Sequence, residues 1–231
     1  MNRALWLLIF LVAITSGFAQ NKITVLFVGN SLTYSNNLPE LVKQIAACDS
    51  VTLEYTMLAN PNYALIDHWH EGIVITEIQS KKYDFVVVQQ GPSSQPEGRT
   101  MLINDGLTFA KLCAANHSQL AFFTVWPSKV RSFDFPGVLE SYRMAADSSK
   151  SILCPAGNAW LGLLNNYPEF KLYSDDNFHP AYKGSFLAAL VIYGRLMKKA
   201  NFNFLEYEKI KNPALSKPDF KILIKAAQRT L

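Results

Sequence analysis

The sequence predicts a three-layer α/β/α sandwich around a five-stranded parallel sheet, and three observations carry that prediction. Five short runs, residues 23–28, 51–58, 85–88, 120–125 and 151–153, are rich in Val, Ile, Leu, Phe and Tyr. Most are almost continuously apolar, as strands covered on both faces should be. Stretches of helical length and periodicity separate them, and that alternation leads to a parallel sheet wrapped by helices.

Taken in order, residues 38–47, 64–80, 104–116 and 137–149 read as the intervening helices, and 185–198 with 218–230 close the chain. Proline and glycine gather at the ends of the apolar runs: Gly29, Pro61, Gly91-Pro92, Pro127, Pro155 and Gly157. Those are the carboxyl ends of the strands, where an open α/β sheet places its ligand crevice.

The chain has 231 residues, 49% of them hydrophobic and 17% charged, which suits one domain with a sizeable core over residues 20–231. A net charge of +4 is small for this length, and with no Lys/Arg run longer than two to suggest a phosphate-binding stripe it gives no reason to expect nucleic acid as a partner. The first 19 residues look like a signal peptide. Arg3 precedes an apolar run over 4–15, and Gly17-Phe18-Ala19 offers a cleavage site before Gln20. That run is short for a bilayer, which needs about 20 residues. The expectation is a secreted or periplasmic protein with no stable membrane insertion after cleavage. Cys48, Cys113 and Cys154 are odd in number and widely spaced, so they form no disulfide framework, and none reads as a nucleophile.

Two motifs carry chemistry. Gly29-Asn30-Ser31-Leu32-Thr33 follows the first strand directly. A tight strand-to-helix turn exposes a serine hydroxyl and aims helix N–H groups at a developing oxyanion; the plainer reading is that Ser31 or Thr33 caps a helix. Ser174-Asp175-Asp176-Asn177-Phe178-His179-Pro180 lies before the penultimate helix. Asp176, three residues before His179, can fold back to hold one ring nitrogen while the other faces outward, the arrangement that makes a base for a serine. Alone, it also reads as a polar turn.

Together, at opposite ends of an α/β chain, these segments resemble the SGNH/GDSL hydrolases. GNSLT resembles the family's first block in its GNS variant, and DNFHP resembles its D-x-x-H-P block. Asp84 through Gly91 is similar to its third strand, and Cys154-Pro155-Ala156-Gly157-Asn158-Ala159-Trp160 to the P-x-G-x-A-W element of a bacterial subgroup. The resemblance implies a flavodoxin-like fold, a Ser31–His179–Asp176 triad, no metal or organic cofactor, and a serine esterase acting on a small-molecule or polysaccharide ester. Carbohydrate O-acetyl groups are the first choice of substrate. A glycan-binding module that lost catalysis, and a lipase or thioesterase acting on longer chains, are the alternatives.

The chain departs from the family at the oxyanion hole. The second-strand turn, Leu58-Ala59-Asn60-Pro61-Asn62, has no glycine, and Ser93 stands where an Asn is usual. The expected donors are the Ser31 N–H, a backbone N–H at Asn60 or Asn62, and the side chain of Gln90 or Ser93. His68 and His70 are two apart on a predicted helix and so point to different faces, which argues against a metal pair; one of them is expected at the pocket rim at most. Trp126 and Trp160 fit the core better than a sugar platform. Asn158 reads as pocket lining or turn, and Arg131, Phe133 and Phe135 as a loop over the crevice.

Overall fold

The computed structural model describes residues 21–210 and 212–231. The expected signal peptide, residues 1–19, lies outside them. Strands β1 (Asn21–Gly29), β2 (Val51–Ala59), β3 (Phe85–Val88), β4 (Gln119–Phe123) and β5 (Ile152–Cys154) form one parallel sheet in the order β2-β1-β3-β4-β5. Its register sets Val25 beside Phe85, Phe85 beside Gln119, and Ala121 beside Ile152. Val25, Leu26, Phe27 and Val28 of β1, with Val86, Val87 and Val88 of β3, are sealed from solvent. Strands covered on both faces need apolar side chains at every position, which is why these runs do not alternate.

The helices are α1 (Ser31–Tyr34), α2 (Leu38–Cys48), α3 (Leu65–Glu71), α4 (Ile73–Ser80), α5 (Pro96–Ala115), α6 (Phe135–Ser149), α7 (Ala156–Asn166), α8 (Tyr182–Leu196) and α9 (Lys217–Gln228). Helices α2, α7, α8 and α9 pack mainly with one another on one face of the sheet, and α3, α4, α5 and α6 on the other. Helix α8 is the inner member of its layer. Phe186 through Tyr193 are all fully buried, so this helix is apolar all round rather than on one stripe.

Three elements differ from expectation. The helix predicted over 64–80 is two, because Gly72 adopts φ +79, caps α3 and turns the chain into α4. Helix α5 starts eight residues before the predicted 104, with Pro96 in its first turn and Glu97 near its positive end. Helix α7 is not among the helices expected from the sequence, because Pro155 caps it and Gly157 and Asn158 lie in its first turn. Gly157 is needed there because a Cβ would collide with the Val125 carbonyl.

The strand order fixes where a ligand goes. The chain leaves β1 toward β2 and crosses back over it to β3, so the loops after β1 and β3 part company. In an open α/β sheet that divergence is the crevice. The loops that follow β1 and β3 begin with Asn30-Ser31 and Gln89-Gln90.

Candidate active site

Ser31 is the first residue of α1, separated from β1 by Asn30 alone. Asn30, in extended conformation, caps the helix, its side-chain oxygen accepting from the Leu32 N–H at 3.1 Å. The Asn30 carbonyl takes the N–H groups of Thr33 and Tyr34. Among the described residues the Ser31 hydroxyl and Ser31 N–H have no hydrogen-bond partner, and the side chain is half-buried.

Beneath this turn, Gln89 acts as a clamp. Its oxygen accepts from the Asn30 N–H at 3.1 Å and the Thr33 hydroxyl at 2.8 Å. Its amide nitrogen donates to the Asn30 side-chain oxygen at 2.9 Å and the Gln90 carbonyl at 2.6 Å. All four bonds are buried, where an unmade one costs about 1–3 kcal/mol. Gly29 is required by the same crowding: a Cβ there would overlap Thr33 Oγ1 and Gln89 Oε1. From the other side, buried His68 places Nε2 2.8 Å from the Gly29 carbonyl, which makes that nitrogen the protonated one. Burial pushes the His68 pKa down.

His179 sits on a turn closed by an isolated bridge between Tyr173 and Pro180 and by the Ser174 N–H donating to the His179 carbonyl at 2.8 Å. Asn177, at φ +61, reverses the chain. Within the turn, Asp176 Oδ2 lies 2.5 Å from His179 Nδ1. Its Oδ1 accepts from the Phe178 N–H, the His179 N–H and the Ser174 hydroxyl, at 2.9, 2.9 and 2.7 Å. The bond to His179, followed by those from Phe178 and Ser174, holds the Asp176 carboxyl well below the usual range. The pair is open to solvent: the His179 and Asp176 side chains are 38% and 50% exposed.

Under this turn Trp126 and Trp160 stack with centroids 3.5 Å apart, and Tyr173 meets Trp160 edge-on. The Trp126 indole donates to the Phe178 carbonyl at 3.2 Å, so the core supports the residue next to His179.

Compared by sequence, the chain matches no family model and no curated protein. Compared by structure, it is similar to a proposed SGNH hydrolase from Slackia heliotrinireducens, with TM-score 0.65, 22% identity, and 76% of this chain and 100% of that one covered. The fold is that of the SGNH hydrolases. A DUF4886 family protein from Bacteroides uniformis matches at TM-score 0.75 and 14% identity, over 91% of this chain and 95% of its own. An acetyl xylan esterase from Geobacillus stearothermophilus matches at TM-score 0.54 and 12% identity, over 80% and 96%.

On this SGNH fold the expected oxyanion residues are distributed as follows. The Asn60 N–H donates to the Gly29 carbonyl at 3.2 Å and so prolongs the β1–β2 ladder. Asn62 is exposed at the corner of the next turn, at φ +63. Gln90 and Ser93 are buried and bonded to each other, Gln90 Nε2 donating to Ser93 Oγ at 2.9 Å. The Ser93 hydroxyl donates in turn to the Gly91 carbonyl at 3.2 Å. Its single proton is therefore engaged, whereas the Gln90 amide keeps a second N–H.

Sequence reasoning did not single out Gln89. The signal was a glutamine pair ending a wholly apolar strand. The remaining candidates fall away from the Ser31 turn. His70 is exposed on α3, and Asn158 is exposed on α7. Trp126 and Trp160 are fully buried. Cys113 and Cys154 are buried, which pushes both thiols up to about 12 and leaves them unreactive. After β4, Phe133 in the loop is 73% exposed, while Phe135, which the sequence also assigned to the loop, opens α6 and is buried.

Proposed function

We propose that the protein is an exported serine esterase in which Ser31, His179 and Asp176 form the catalytic triad. The observation that carries this reading is the Asp176–His179 pair on its ordered turn, tied through Pro180 to Asn36 in the segment that follows Ser31 at the start of its helix. Asp176 on Nδ1 fixes the tautomer in which His179 Nε2 is an acceptor. His179 Nε2 then takes the proton as Ser31 Oγ attacks the ester carbonyl, and Asp176 balances the imidazolium. The tetrahedral oxyanion is met by the Ser31 N–H, which starts a helix and has no other partner among the described residues. His179 returns its proton to the leaving alcohol, and water, activated by the same base, releases the acid.

The residue pattern over 1–19 supports export, which would bring extracellular or periplasmic polymers within reach. Short O-acyl groups on carbohydrate are the substrate class we favour, in keeping with the acetyl xylan esterase among the similar structures. The test is reaction of the mature protein with a fluorophosphonate, followed by peptide mass mapping and assay on nitrophenyl acetate. The label should sit on Ser31, and Ser31→Ala and His179→Ala should each lose nearly all turnover. A label elsewhere, or a fully active Ser31→Ala protein, would sink the reading.

A further inference from the structure

Beside the Asp176 turn, the loop after β4, the end of α7 and the segment leading to Tyr173 enclose a groove of about 750 Å³. That volume is usual for a ligand site. Its wall is shared with the candidate active site: Ser174 and Asn177 line it, and the Ser174 hydroxyl holds Asp176 Oδ1 at 2.7 Å. Half of the lining residues are polar or charged. Lys129 and Lys171 are balanced by Glu169 and Asp175, and they share the space with Phe170 and Tyr173.

At the rim stands Phe133. A phenyl ring 73% exposed gains little from the hydrophobic effect. The packing of this segment is done by Phe135, only 2% exposed. The Arg131 guanidinium lies 5.6 Å from the Phe133 ring centroid, a weak cation–π contact, while its Nε pairs with Asp134 at 2.6 Å. The short 3-10 turn Lys129–Asp134 is thus a mount for an aromatic face.

We propose that this groove is a sugar-binding subsite, seating the carbohydrate part of an acylated glycan with Phe133 as its stacking platform. The proposal rests on the esterase reading of Ser31 and His179. A sugar ring offers C–H faces that pack on an aromatic ring and a rim of hydroxyls that need donors and acceptors, and the groove supplies both. A long acyl chain needs an apolar lining throughout, which half of these residues deny. The balanced charges point to a neutral polymer.

Binding and turnover test this separately. The Ser31→Ala protein is titrated by calorimetry with xylo-, cello- and chitohexaose, alone and with Phe133→Ala or Phe133→Tyr added. The Phe133 variants are then assayed, in the otherwise native chain, on acetylated xylohexaose, nitrophenyl acetate and nitrophenyl octanoate. Phe133→Ala should weaken binding of a hexasaccharide and raise KM for the acetylated sugar roughly tenfold. It should leave kcat on nitrophenyl acetate unchanged, and Phe133→Tyr should restore binding. No binding of any hexasaccharide, binding indifferent to Phe133→Ala, or a rise in KM confined to the octanoate would overturn the groove. Hexasaccharide binding together with persistent hydrolysis by the Ser31→Ala protein would overturn the esterase reading and leave the groove standing.

Discussion

The side-chain amide of Asn36 donates to the Pro180 carbonyl at 2.9 Å, joining the segment behind Ser31 to the residue after His179 across 144 positions of sequence. The same nitrogen donates to Ser185 Oγ at 2.9 Å. Asn36 reaches both from φ +54, a conformation Asn tolerates better than most residues. This link sets the register between the two halves of the proposed triad. Asn36→Asp keeps the backbone preference but points an acceptor at a carbonyl. We expect turnover on nitrophenyl acetate to fall by roughly a hundredfold, as for a small misplacement of reacting groups, with KM little changed. Equal turnover in the two proteins would show that the halves need no such tie.

Asp176 should remain ionised across any practical assay. Its folded-state pKa is depressed, chiefly by His179. Its contribution to the turn is therefore complete above the ordinary carboxylate value and is lost only as pH falls well below it. Carboxyl-carbon NMR should show Asp176 still deprotonated at about pH 4, where an ordinary Asp is half-titrated. Asp176→Asn should lower turnover by about 10³–10⁴-fold, because the amide favours the wrong tautomer of His179. A midpoint near the ordinary value would contradict the hydrogen-bond set described for this carboxylate.

Gln90 and Ser93 should separate by the kind of damage they cause. The spare N–H of Gln90 makes it the side-chain candidate for an oxyanion donor, and Ser93 holds it in place. Gln90→Ala should reduce turnover roughly a hundredfold at unchanged KM. Ser93→Ala should mainly lower the melting temperature. Stopped-assay kinetics and calorimetric melts on both variants decide the matter, and unchanged turnover in Gln90→Ala would leave the hole to backbone N–H groups.

His68 makes the fold sensitive to mild acid. Its folded-state pKa lies below 6.5, first because burial penalises the cation, with the Gly29 carbonyl, Glu71 and Asp67 opposing. The unfolded chain takes up a proton at the ordinary value while the folded chain resists. Stability is thus complete above about pH 6.5 and declines as pH falls toward the folded value. His68→Gln, which keeps an amide donor for Gly29, should melt with a flatter pH dependence between about pH 7 and pH 5. A difference of roughly 2–4 °C in that slope is the expected size. Parallel pH profiles would mean that His68 titrates elsewhere.

The sheet was legible in sequence because its strands are buried on both faces. Each apolar run lies within two residues of an observed strand at either end. The helix boundaries failed where one residue outweighed periodicity: Gly72 divides a continuous helical pattern, and Gly98 hides the first turns of α5. The Asp176–His179 pair was legible because both partners belong to one turn, three residues apart. Gln89 was not. Its partners Asn30 and Thr33 are 59 and 56 positions away, and nothing local marks a strand-end glutamine as a clamp. The oxyanion candidates were named from the loops after β2 and β3, but which of their protons are engaged, as the Asn60 N–H is with Gly29, depends on contacts that only the folded chain makes.

The stacked indoles beneath the Asp176–His179 turn give the protein a built-in optical reporter. Trp126 and Trp160 lie 6° from parallel with centroids 3.5 Å apart, close enough for their electronic transitions to couple into a split circular-dichroism band. Of the four tryptophans in the chain, Trp6 falls in the segment expected to be cleaved, and Trp69 is on α3 in the opposite helical layer. Trp126 is also hydrogen-bonded to Phe178, so its emission is wired to the turn that carries His179. Any ligand that shifts this turn should be visible in unlabelled protein, by intrinsic fluorescence, before any chemistry occurs.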